Sequence, residues 1–218
     1  MTDKQFAKMV NGKSIALVGP SNSIVDSKNG AHIDNHDLVI RMNNCLPLPN
    51  GLSEDIGIRT DILYHGLYGI YHPDYLLDID MCVKAGVQCM VATCTIDKYT
   101  KDSVDYYHEQ NKNRIPLRTI DSYIRPLSKQ IQTKPNTGLI SLFDLIRFDI
   151  KEIFVTGIDF YKSYYHDGYN IKTRTDGSLN KHHNLMSHKK HLADLVNSDH
   201  RIKIDKVLQD IFKEEGLI

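Results

Sequence analysis

The sequence predicts an α/β fold with a mainly parallel central sheet and helices on both faces. Two observations predict it. Apolar runs of strand length recur along the chain, and between them lie longer polar stretches, several with helical periodicity. The runs are continuous rather than alternating, the signature of strands buried on both faces. They are Ser14-Ile15-Ala16-Leu17-Val18 closed by Gly19, then residues 37–41, 61–64, 88–92, 152–156 closed by Gly157, and 201–204. The strongest helix spans 137–148, where Leu139, Ile140, Leu142, Phe143, Leu145 and Ile146 form a wide apolar stripe behind a cap at Asn136 or Thr137. Further helices are expected over about 75–82, 184–196 and 206–215, the last ended by Gly216. The polar stretch 161–183 offers few core residues and reads as a loop over the site.

Composition narrows the function classes. The 218 residues carry 27 Lys+Arg against 27 Asp+Glu, which disfavours a broadly basic nucleic-acid binder. The first residues have no apolar segment of a secretory signal, and no run approaches the roughly 18 apolar residues of a membrane span. The four cysteines form no CxxC pair and read as buried thiols. The expectation is a cytoplasmic protein, a single domain over 1–218. Five of the 11 histidines cluster between His166 and His191.

Four constellations carry candidate chemistry. The turn Gly19-Pro20-Ser21-Asn22-Ser23 follows the first strand, where a parallel sheet binds nucleotides, but it is not a GxGxxG dinucleotide loop. Asn43, just past the second strand, has an amide able to read a base edge or ribose. Asn136-Thr137-Gly138 opens a helix whose first N–H groups suit a phosphate. Among the clustered histidines a neutral imidazole is the natural general base near neutral pH; a zinc site through His183, His188 and His191 is not specific. Asp78-Ile79-Asp80 matches an Asp-x-Asp cation-holding pattern, but reads better as a solvated helix face.

Taken in order, these pieces resemble the sialyltransferases of glycosyltransferase family 29. The long sialylmotif is similar to Ile15-Ala16-Leu17-Val18-Gly19-Pro20-Ser21-Asn22-Ser23, then residues 33–43 ending in Val39-Ile40-Arg41-Met42-Asn43, then residues 54–61. The short motif is similar to residues 135–139 through 152–159, so the motif-like regions span about 14–61 and 134–159. Tyr164-Tyr165-His166 is similar to the third motif, and the stretch from His183 to His188 to the very short one, with His188 where the family has Glu. The disulfide that animal members form between the long and short motifs has no counterpart: Ile15 stands at the first cysteine position.

The resemblance implies a single Rossmann-like domain of GT-A-variant type, ending in a helix at about 205–215. It implies an inverting enzyme that moves an acidic sugar, sialic acid or a Kdo-like sugar, from a CMP-sugar to a hydroxyl of an oligosaccharide or glycolipid. Gly19, Ser21, Asn22, Ser23 and Asn43 would hold the nucleotide, and Asn136, Thr137 and Gly138 its phosphate. His166 would be a phosphate partner and His183 the general base, with His182 next in line. No metal, cofactor, nucleic-acid partner or integral membrane segment is implied; the oligomeric state stays open. A catalytically silent CMP-binding protein is the alternative, and a Rossmann methyltransferase a weaker one.

Overall fold

Alternate residues of each strand feed different cores, which fixes the layering. Ile15 and Leu17 of β1 (Ser14–Val18) join one apolar cluster, while Ala16 and Val18 join another on the opposite face. The same division runs through β2 (Leu38–Met42), β3 (Ile62–His65), β4 (Cys89–Ala92) and β6 (Glu152–Thr156). With β5 (Leu117–Thr119) and β7 (Ile202–Ile204) they form one sheet, ordered β5-β4-β3-β2-β1-β6-β7. Every pairing is parallel. This computed structural model describes residues 1–67, 69, 76–94, 98–169 and 183–218.

Nine helices are described: α1 (Asp3–Val10), α2 (Gly30–Asp34), α3 (Ser53–Ile56), α4 (Ile79–Lys84), α5 (Lys98–Asn111), α6 (Asp121–Gln130), α7 (Thr137–Leu145), α8 (Leu185–Ser198) and α9 (Lys206–Glu214). Residues of α1, α6, α7, α8 and α9 pack into the larger cluster, on the face of Ile15 and Leu17. Residues of α2 and α3 join the cluster of Ala16 and Val18, and residues of α4 and α5 a third built on Leu63 and Met90.

The strand order reverses at β1. The chain steps outward through β2, β3, β4 and β5, then returns to β1's other side as β6. Loops leaving β1 and β6 therefore diverge, and open sheets of this kind place their ligand crevice at such a point.

The strand at Leu117–Thr119 is absent from the sequence expectation because a charged residue occupies its centre. Arg118 is only 1% exposed, and its charge is answered from outside its own segment. Its guanidinium forms a fork on Asp144 of α7, Nη1 to Oδ2 at 2.5 Å and Nη2 to Oδ1 at 2.9 Å. Tyr64 of β3 donates to the same carboxylate at 2.8 Å, and Arg118 also meets Asp3 at 2.8 Å. Helices α1, α2, α3, α5 and α6 are likewise additions to the expected set.

Other bounds are corrected. The helix expected over 75–82 starts at Ile79, because Asp78 is its N-cap and accepts from the Met81 N–H. Asp80 pairs with Arg114, so both carboxylates of the Asp-x-Asp pattern have structural partners. The helix expected to reach 148 ends at Leu145. All four cysteines are free and buried, and burial pushes the Cys45, Cys82 and Cys89 thiols up to about 12. Among the described residues no helix is long and apolar enough to cross a membrane.

The buried ion pair makes a direct prediction. Asp144→Ala leaves Arg118 charged and buried, so it should cost about 3–5 kcal/mol in denaturant unfolding. Replacing both partners, Asp144→Leu with Arg118→Met, should recover most of that loss. A single mutant as stable as the parent would refute the cost assigned to losing this partner, Asp3 then sufficing for Arg118.

Candidate active site

The crevice is opened by two glycines. A Cβ on Gly19 would sit 2.3 Å from the Gly157 carbonyl oxygen, and one on Gly157 would sit 2.5 Å from the Gly19 oxygen. Gly157 also takes the left-handed backbone, with φ +67, that glycine tolerates best. The chains beyond them stay linked: the Ser21 N–H donates to the Gly157 oxygen at 2.9 Å, and the Asn22 N–H to the Tyr164 oxygen at 2.7 Å. Residues 20–22 thus lie beside 164–166, where the His166 N–H donates to the Pro20 oxygen at 2.9 Å.

The sequence-predicted residues collect around this point. Ser21 is buried and caps a short 3-10 turn, Asn22–Ile24; Asn22 is exposed and Ser23 half-buried. Asn43 adopts the left-handed region with φ 50, which Asn tolerates. Its amide donates to Thr137 Oγ1 at 3.2 Å and accepts from the Gly66 N–H at 3.2 Å. It therefore ties the end of β2 to the start of α7 and the end of β3. Asn136 is the N-cap, accepting from the Leu139 N–H at 2.9 Å. Gly138 is buried in the first turn, close to Ile158 and Met42.

The histidines divide sharply. His183 Nδ1 lies 2.8 Å from the Lys134 carbonyl oxygen. A carbonyl only accepts, so Nδ1 carries the proton and Nε2 is the basic nitrogen. The His183 ring stacks on Tyr161, with centroids 6.2 Å apart at 11°. Phe160 and Tyr161 both sit at left-handed φ, 54 and 63, an uncommon conformation for bulky residues that marks functional segments. From Tyr161 the aromatic contacts run to Tyr165, Tyr169 and then His166. His166 is 4% exposed, its Nδ1 bonded to the Asp167 oxygen at 2.9 Å. His182 falls outside the described residues.

His188, on the helix expected over 184–196, turns into the core. It is 0% exposed, and its Nε2 donates to the same Lys134 oxygen at 3.1 Å. Its Nδ1 is buried with no hydrogen-bond partner. Burial, with the charges of His183 and His191, pushes its pKa down to about 4. Burial does the same to His65, whose Nδ1 accepts from the Leu67 N–H. Beside His65 an open hollow of about 300 Å³ is lined by Leu67, Leu77, Ser103, Tyr106 and Tyr107. Sequence reasoning assigned no role to the Lys134 carbonyl, Tyr161, Asp159 or Ser163; Lys134 and Asp159 lie at the ends of the 134–159 motif-like region, while Tyr161 and Ser163 carry no motif signal. Among the described residues no three His, Cys, Asp or Glu side chains gather as a metal site.

A doubly wound α/β domain, with a polar crevice at its switch point and a histidine fixed against a helix start, is the class of architecture these features define. Residues 3–114 match the family Glycosyltransferase family 29 (sialyltransferase), just over half the chain. The chain belongs to that family and is a glycosyltransferase. The second motif-like region, 134–159, lies outside the matched stretch.

Solved structures share the fold. A mammalian sialyltransferase in complex with Gal-beta-1-3GalNAc-ortho-nitrophenol superposes with TM-score 0.62 at 19% identity, covering 92% of this chain and 71% of that one. The sialyltransferase CstII from Campylobacter jejuni, in complex with cytidine-5'-monophosphate, gives 0.58 at 14% identity, covering 89% and 79%. The monofunctional alpha-2,3-sialyltransferase Cst-I of the same organism gives 0.53 at 16%, covering 88% and 74%. No curated protein sequence matches this chain.

The two buried histidines set an acid limit. Between their ordinary value of 6.5 and about 4, the unfolded chain takes up protons at His65 and His188 that the folded chain refuses. Stability should therefore fall as pH drops through that window. Thermal unfolding at about pH 7 and about pH 5 should show the loss, and His188→Gln should shrink it; an equal loss in the variant would refute the assignment to His188.

Proposed function

We propose that this chain is an inverting transferase that moves an acidic sugar, sialic acid first and a Kdo-like sugar second, from a CMP-sugar to a glycan hydroxyl. One observation supports the reading: the candidate base is tethered to the segment that opens the candidate phosphate site. His183 is held by the Lys134 carbonyl, and the N-cap of α7 follows two residues later at Asn136. A single hydrogen bond and a two-residue step along the chain therefore couple their positions.

The roles follow from local chemistry. In this scheme the N–H groups in the first turn of α7, with Thr137 and Gly138, stabilise the charge that grows on the departing CMP. Asn43 and the 21–23 turn hold the nucleoside, and His166 adds a hydrogen-bonding partner for the phosphate. Nε2 of His183 takes the proton of the acceptor hydroxyl as its oxygen attacks the anomeric carbon. The C–O bond to CMP breaks on the opposite face, so the configuration inverts. In this reading the glycan, an oligosaccharide or glycolipid, would approach from the β3 side, where the hollow beside His65 offers room. The reaction so drawn needs no metal: the leaving monophosphate carries less charge than a diphosphate, and helix dipole and imidazole answer it.

His183→Ala should reduce kcat for transfer by about 10²–10⁴ while leaving the Kd for CMP nearly unchanged. Full activity in that variant would move the base to another residue. Dialysis against EDTA should leave turnover intact; loss of turnover restored by Mn²⁺ or Mg²⁺ would contradict the metal-independent scheme.

A further inference from the structure

A chain of hydroxyls runs from a buried carboxylate to the crevice, and its direction is fixed. Asp159, 4% exposed, accepts from the Ser163 hydroxyl at 2.6 Å and from the Ser163 N–H at 2.8 Å. The Ser163 oxygen lies 3.0 Å from that of Ser21, and the Ser21 oxygen 2.7 Å from that of Ser23. A carboxylate only accepts, so the Ser163 proton points at Asp159. The other acceptor within its reach, the Tyr164 carbonyl at 3.2 Å, likewise takes that proton away from Ser21. Ser21 must then donate to Ser163, and Ser23 must donate to Ser21. Ser21 also accepts from the Ser23 N–H at 3.1 Å, which fills its one donor and two acceptor positions.

Ser23 is left with lone pairs alone to offer. A phosphate oxygen, which also only accepts, would be repelled there. A ligand N–H or O–H would be satisfied. We infer that Ser23, polarised by the Asp159–Ser163–Ser21 chain, is a specificity-determining acceptor for a donor group on the nucleoside, a ribose hydroxyl foremost, and makes no phosphate contact. This rests on the nucleotide reading of the site above and divides its labour: the nucleoside goes to the 21–23 turn, the phosphate to the start of α7.

Calorimetric titration with nucleotides alone tests this. In the parent protein 2'-deoxy- or 3'-deoxy-CMP should bind about fivefold more weakly than CMP, the worth of one hydrogen bond. In Ser23→Ala that gap should close, with CMP itself weakened by a similar factor. Asp159→Asn should narrow the gap too, because an amide can also donate and the chain can then run either way. A gap seen instead with UMP against CMP, and again closed in Ser23→Ala, assigns the donor to the base amino group and upholds Ser23 as acceptor. An analogue gap unchanged in Ser23→Ala, with thermal unfolding showing that variant folded, overturns the inference while leaving the donor reading intact. Absence of CMP binding in the parent overturns both.

Discussion

The architecture depends on how closely two peptide units approach at the reversal of the sheet. Gly19 and Gly157 end neighbouring parallel strands, and neither has room for a methyl group beside the other's carbonyl. That approach lets the Ser21 N–H reach the Gly157 oxygen, which brings residues 20–22 alongside 164–166. The serine chain, the buried His166 and the aromatic series toward His183 all follow from this pairing. A side chain at either glycine would separate the two loops from which most of the candidate site is built.

A second constraint holds the opposite wall. Helix α7 is buried around its whole circumference from Gly138 to Leu145, so apolar packing alone leaves its rotation and axial position weakly specified. The Asp144 carboxylate supplies directional bonds: it takes the Arg118 fork from β5 and the Tyr64 hydroxyl from β3. At the other end of the helix Asn43 binds Thr137 and also the Gly66 N–H, just past Tyr64 on β3. The helix start is thus located by polar bonds at both ends, and the Lys134 carbonyl transmits that position to His183. Buried polar groups of this kind cost desolvation, and the return is a single defined arrangement.

How much could be read from the sequence follows the range of the interactions. Strands β1, β2, β3, β4 and β6 were legible because burial on both faces writes a continuous apolar run. The cap at Asn136 was legible because an N-cap is a local matter. Strand β5 was not, since Arg118 belongs in a core only by virtue of Asp144, distant in sequence. Helix α5, Lys98–Asn111, is too polar for its period to stand out. Helix α1 did carry a signal, the Thr2–Gln5 capping box, in a short segment easily passed over. In the site, residue types pointed to Ser21, Asn43, Thr137 and His183, yet Asp159 and Ser163 act through a polarity that only three-dimensional contacts reveal. His188 reads as one more helix histidine until its complete burial is seen.

That burial bears on the chemistry. His183 and His188 both donate to one carbonyl oxygen, and two lone pairs allow it. The arrangement orients His183 without an anion, whereas the family resemblance puts a glutamate at position 188. A carboxylate there would hold the imidazolium formed after proton transfer by direct charge attraction. In the proposed scheme that task would fall to the Lys134 carbonyl dipole, because His188 is held neutral by its surroundings. The orphaned Nδ1 of His188 belongs to the same compromise: one nitrogen is spent on the shared carbonyl, and the other is buried where nothing donates to it. A polar atom left unpaired beside the candidate base is a cost to folding, and the orientation of His183 is the feature nearby that it supports.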